Sequence, residues 1–149
     1  MNLADAEFAY DPEDPEGYRA GRWRPGPGWG AGRTGISVYE LPPGQAICPY
    51  HYELAEEEWL FVLDGEVDVR GPEGTERLGP RELVFFAIGP DGAHAIRNAG
   101  EATARVLLFS NVAELGATVY PDSDKIGVYP AGERHLFRRT DGVDYYEGE

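Results

Sequence analysis

From Thr34 onward, short apolar or alternating runs succeed one another, each closed by turn residues. TGISVYEL (34–41) leads into Pro-Pro-Gly, EEEWLFVL (56–63) into Asp64-Gly65, and EVDVR (66–70) into GPEG. RELVFFAI (81–88) leads into GPDG, HAIRN (94–98) into Ala-Gly-Glu, and ARVLLFS (104–110) ends the series. A strand about every ten residues, with no sustained helical period, predicts an all-β sandwich or barrel. EVDVR alternates strictly, which sets Val67 and Val69 on one face and Asp68 and Arg70 on the other. Trp59 to Leu63 is continuously apolar, as in a strand covered on both faces, one filling the barrel and the other meeting the N-terminal arm or a second subunit. Asp64-Gly65 reads as a hairpin dipeptide.

The flanks differ. Residues 1–33 hold PEDPEG and RPGPGWGAG, proline and glycine punctuation that predicts an irregular arm. Trp23 and Trp29 lie in it. Such rings are costly to leave in water, so the arm is expected to pack on the barrel or on a partner, with disorder as the alternative. Residues 113–149 carry aromatic and turn residues without a clean amphipathic helix, and are expected as extended structure laid along a barrel spanning 34–112.

Composition narrows the classes of function. At 149 residues the chain is the size of one domain. A formal charge of −14 and a pI near 4.5 argue against nucleic acid and anionic membranes as partners. Cys48 is the sole cysteine, so no internal disulfide forms, in keeping with a reducing compartment. The N-terminal stretch is acidic without an apolar segment, and no run reaches membrane-spanning length, so a soluble, cytoplasmic protein is expected.

The chemistry concentrates in CPYHYELAEEEWLFVLDGE (48–66). In a strand, His51 and Glu53 project from one face, and Tyr50 and Tyr52 from the other. Glu56 and Glu58 share a parity at the entrance of the next strand, where a short connection would bring Glu58 opposite the pair. HAIRN sets His94, Ile96 and Asn98 on a single face. An imidazole from each of two strands with one or two carboxylates suits iron, manganese, nickel or zinc. Individually these residues have an ordinary reading: a strand histidine is more often structural, and three consecutive glutamates usually form a solvated face. Their combination favours a site.

From Gly44 to Asn98 the sequence resembles the cupin superfamily, small β-barrels of the double-sheet jelly-roll kind. The first cupin motif is Gly, five residues, His, one, His, three or four, Glu, six, Gly. Glu58, six residues and Gly65 match its end, His51 falls on the first histidine, and Glu53 occupies the place of the second, while Gly44 is displaced by one. The second motif ends in His, three residues, Asn, as His94 to Asn98 do, with Pro90 and Gly92 in the proline and glycine roles. The resemblance implies a double-stranded β-helix (jelly-roll) barrel whose metal ligands are His51, Glu58 and His94, with Glu53 a candidate fourth, and a divalent Mn, Fe, Ni or Zn ion as cofactor. An added carboxylate favours harder ions.

By this resemblance the chain is a metal-binding cupin acting on a small polar molecule, in a family that spans many reactions. A non-enzymatic binding or sensor module for a sugar or carboxylate is the second reading, and a degenerate barrel kept for assembly the third. Exposed jelly-roll edges lead us to expect a homodimer. Tyr50 and Tyr52 are expected to pack against the arm or a partner, Cys48 as a small buried residue, Asn98 to satisfy a turn, Arg97 at the surface making ion pairs, and His135 outside the site.

Overall fold

The computed structural model describes residues 2–130 and 133–149. Among them twelve strands occur in order: β1 (Gly21–Trp23), β2 (Thr34–Leu41), β3 (Tyr52–Glu53), β4 (Glu58–Asp64), β5 (Val67–Gly71), β6 (Gly74–Leu78), β7 (Leu83–Phe86), β8 (Ala95–Arg97), β9 (Ala104–Asn111), β10 (Leu115–Tyr120), β11 (Lys125–Pro130) and β12 (His135–Arg138). They form a five-stranded sheet in the order β1-β2-β9-β4-β7, a four-stranded sheet β12-β11-β10-β3 and a three-stranded sheet β6-β5-β8, with antiparallel pairing throughout. This is the jelly-roll barrel expected from the run lengths. Among the described residues no helix is long and apolar enough to cross a membrane.

The large sheet has a burial gradient that fixes where a site can lie. Cross-strand register puts Leu41 with Ala104, Tyr39 with Val106 and Val62, Ser37 with Leu108 and Leu60, and Gly35 with Ser110 and Glu58, all on the inner face. At one end Leu41, Ala104, Val62 and Val106 are fully buried. At the other, Gly35, Ser37, Leu108, Ser110 and Glu58 are half-buried. The barrel is therefore plugged by aliphatic side chains at one end, the Leu and Val side chains each worth about 1.5–3 kcal/mol on burial, and opens at the end where its lining becomes small and polar.

Two glycines hold tight corners. Gly65 has φ +72°, and a Cβ there would lie 2.8 Å from Ala104 Cα. The Asp64-Gly65 turn is not the hairpin expected from its sequence: β4 already has β9 and β7 on its two edges, so the chain turns instead into another sheet. A register shift between Val62 and Asp64 marks that corner. At Gly92 a Cβ would meet Ala87 O at 1.7 Å, so no side chain fits in the loop that delivers His94.

The arm is more regular than expected. Its β1 extends the large sheet by pairing with β2, Ala9 bridges Arg22, and Tyr10 Oη donates to Glu40 at 2.8 Å. Trp23 and Trp29 meet edge to face at 6.2 Å, although Trp29 stays 61% exposed. The apolar run of β4 is covered on one face only: Leu60 and Val62 are buried, whereas Trp59 is 40% exposed on the outer face beside Phe85 and Phe109.

Candidate metal centre

At the open end the three sheets bring together residues far apart in the chain. His51 and His94 form an isolated antiparallel bridge, with His51 N donating to His94 O at 3.0 Å and His94 N to His51 O at 2.7 Å. A direct cross-strand pair puts its side chains side by side, and the two imidazole centroids are 4.6 Å apart. Phe86 stacks on the His94 ring at 3.6 Å and 10°. Phe86 is also the register partner of Glu58, so β7 and β4 deliver the carboxylate beside the same imidazole.

Both rings have a defined tautomer. His51 Nδ1 lies 2.9 Å from Pro49 O, and His94 Nδ1 lies 2.9 Å from Gly92 O. A carbonyl oxygen can only accept, so each Nδ1 carries the proton and each Nε2 presents a lone pair. His94 Nε2 lies 3.4 Å from Glu58 Oε2, and His51 Nε2 lies 3.6 Å from Glu53 Oε1. One donor atom each from His51, Glu58 and His94 falls within 4.8 Å of the others. Two imidazole lone pairs and the Glu58 carboxyl face one point, a donor set that could hold a cation, and fixed Nδ1 protons orient histidine toward a metal. The donor set fits a divalent ion.

The electrostatics agree. Burial pushes the Glu58 carboxyl up to about 7, helped by the negative charges of Glu53 and Glu56. Burial likewise raises Glu53 to about 7, against the opposing effect of Thr118. Burial lowers His94 to about 3, with the His51 charge adding to it, and lowers His51 too. Both imidazoles are therefore neutral at pH 7, and the His51–Glu53 and His94–Glu58 contacts are not ion pairs.

Glu53 stands beside the trio. Thr118 Oγ1 lies 2.9 and 2.7 Å from its two carboxylate oxygens and donates its proton there. Thr118 is the register partner of Glu53 across β10 and β3, and Tyr120, on the same face of β10, stacks on His51 at 5.9 Å. Tyr120 Oη meets Tyr129 Oη at 3.0 Å, and burial pushes the Tyr120 phenol up, keeping it protonated. Sequence reasoning missed these residues. The signal was the alternation in LGATVY, which sets Thr118 and Tyr120 on one face, but it lies in a segment whose overall pattern predicts no more than extended structure.

The other expected residues sort clearly. Asn98 is fully buried; its Nδ2 donates to Leu41 O and Ala102 O, and its Oδ1 accepts from Gly100 N, so it fastens a turn as expected. The Cys48 thiol lies 3.5 Å from His51 Nδ1, and its burial raises it, which disfavours a nucleophilic thiolate as expected, although the residue as a whole is only partly buried. Tyr50 packs under the Arg70 guanidinium, 3.9 Å from its centroid, rather than against the arm. Arg97 is exposed. His135 pairs with Glu133 at 3.1 Å at the surface. Two outer recesses, of about 420 and 580 Å³, have none of the three histidines in their walls.

The Cupin_2 family (cupin domain) matches residues 37–110. No curated protein is similar enough in sequence to count as a relative. Among solved structures, a candidate sugar phosphate isomerase of Acidithiobacillus ferrooxidans is similar at 24% identity, covering 96% of this chain and 90% of its own, with a TM-score of 0.82. A sugar phosphate isomerase of the cupin superfamily from Silicibacter pomeroyi is similar at 19% identity, with coverages of 98% and 96% and a TM-score of 0.84. The polyketide cyclase RemF of Streptomyces resistomycificus is similar at 18% identity, with coverages of 97% and 86% and a TM-score of 0.63. Such likenesses extend over the arm and the C-terminal strands as well as the barrel, and they concern the fold. With the barrel and both motif histidines in place, the chain is a cupin-domain protein.

Proposed function

We propose that this protein binds one divalent metal ion through His51, Glu58 and His94, with Glu53 as fourth donor, and acts on a small hydroxylated molecule at the open end of the barrel. The observation that carries this reading is the pair of Nδ1–carbonyl contacts, which turn two Nε2 lone pairs onto the Glu58 carboxylate. When bound, the ion would supply Lewis acidity to a carbonyl or hydroxyl of the ligand. The chain's residues supply the rest: Thr118 orients the Glu53 carboxylate, Tyr120 and Phe86 hold the two imidazoles, and the aliphatic plug below Leu60 keeps water out from the closed end.

The substrate class we infer is a sugar phosphate, and the reaction an isomerisation that moves a proton between adjacent carbons. Support comes from two fold neighbours bearing that description and from the small inner-face residues Gly35, Ser37 and Ser110, two of which carry hydroxyls. The test is exchange of solvent deuterium into hexose and pentose phosphates by the metal-loaded protein, monitored by NMR. Exchange that disappears in His94→Ala supports the reading. Saturable binding of the same sugars without exchange refutes the enzyme and favours a binding or sensor module. Glu53→Gln separates two roles: loss of metal makes Glu53 a ligand, whereas retained metal with lost exchange makes it the proton carrier.

A further inference from the structure

The arm contributes a cation to the mouth of the barrel that neither cupin motif contains. Arg24 comes directly after β1, and its Nε donates to Ser37 Oγ at 3.1 Å. Ser37 lies in the inner row with Leu108 and Leu60, one row below Gly35, Ser110 and Glu58. Adjacent strands are about 4.8 Å apart, so β2 and β4 stand on either side of β9 with roughly 10 Å between them. Long side chains from the two flanks therefore face each other across the opening. The floor between them carries Gly35 and Ser110, and a Cβ at Gly35 would come within 2.9 Å of Ser110 Oγ, so a larger residue there would crowd the floor.

The Arg24 guanidinium is anchored through Nε alone. Among the described residues, its two terminal NH₂ groups have no hydrogen-bond or ion-pair partner, although Arg19, Arg70, Arg77, Arg105 and Arg139 each have a carboxylate. Other arginines among the described residues also lack a carboxylate, but Arg24 is held by its Nε against Ser37 of the inner face while its outer edge stays open. A planar fork, held at one nitrogen with its outer edge open, matches an oxyanion in bidentate geometry.

We propose that Arg24 is a specificity-determining residue that binds the anionic end, phosphate or carboxylate, of a small hydroxylated substrate whose other end meets the His51–Glu58–His94 centre. This rests on the reading of that centre as the substrate site. Ser37 positions the guanidinium, and Gly35 and Ser110 leave room for the body of the ligand. The arm then serves recognition as well as extending the sheet.

The test is calorimetric titration of the full-length protein with inorganic phosphate and with gluconate, in both metal-loaded and chelator-treated forms. Parent, Arg24→Gln, Arg24→Lys and, as a control on another exposed arginine, Arg97→Gln are compared, with metal content measured in each. We expect Arg24→Gln to weaken binding of at least one anion about tenfold or more, Arg24→Lys to restore part of it, and Arg97→Gln to match the parent. Metal content should be the same in all four. A preference for phosphate over gluconate identifies a phosphomonoester, and the reverse a sugar acid. Unchanged affinity in Arg24→Gln, or no binding of either anion to the parent, overturns the proposal while leaving the metal reading intact. Absence of metal in the parent with an Arg24-dependent anion affinity sinks the metal reading and keeps the anion site.

Discussion

Glu58 offers a sharp test, because burial raises its carboxyl and its ionised form destabilises the fold. Its pKa rises from the ordinary 4.5 to about 7 through burial, with Glu53 and Glu56 adding to the effect. A folded-state pKa above the unfolded one means that the stabilisation is complete below pH 4.5 and is lost as pH rises through 7. At 1.36 kcal/mol per pH unit, the ionised form costs the metal-free protein about 3 kcal/mol at pH 8.5. Glu58→Gln keeps the shape, never ionises, and can donate its amide to the His94 Nε2 lone pair. Urea unfolding in the presence of chelator, at pH 5 and pH 8.5, reads the effect. His94, depressed to about 3, costs stability as pH falls below 6.5, but it does so in both proteins and cancels. The variant should gain about 2 to 3 kcal/mol on the parent between the two pH values. An identical gap at both would refute the claim that burial raises the Glu58 carboxyl.

Three further outcomes rest on the same geometry. Thr118→Val removes the donor to both Glu53 oxygens and should cost about 2 kcal/mol at pH 8.5, measured by urea unfolding, with a smaller loss at pH 5 where Glu53 is protonated. Metal uptake should weaken by about tenfold per pH unit for each proton displaced as pH falls below 7, because Glu58 and Glu53 both titrate near there; a competition titration with a chromophoric chelator that found a flat profile from pH 5 to 8 would count against these carboxylates as ligands. Trp59, Leu83, Phe85 and Phe109 are 38 to 56% exposed on the outer face of the large sheet, and pairing of two copies there would give twice 16.4 kDa by light scattering, with Trp59→Glu returning the monomer; a monomeric parent refutes the expected dimer.

The strands that alternate or run apolar between turn signals were legible: β2, β7 and β8 lie within stretches singled out by pattern alone, and β4, β5 and β9 run one residue past theirs. β6 was not, because four of its five residues are exposed and GTERL carries no apolar period. β1 hid among prolines and glycines, since a three-residue strand is held by pairing to β2 rather than by its own composition. The Asp64-Gly65 dipeptide misled because a turn's local geometry does not say which sheet the next strand joins. His51, Glu58 and His94 were legible from motif spacing, and their approach within 4.8 Å agrees with it. Thr118, Tyr120 and Arg24 were not, because each reaches the barrel mouth through pairings between distant segments that no local period encodes.

The most direct test of the metal centre is elemental analysis of purified, tag-free protein beside a His51→Ala/Glu58→Ala variant that keeps the parent's circular dichroism. The account predicts close to one Mn, Fe, Ni or Zn per chain in the parent and its loss in the variant. A parent that holds no metal after incubation with each of these ions, or a variant that holds as much as the parent, would contradict it.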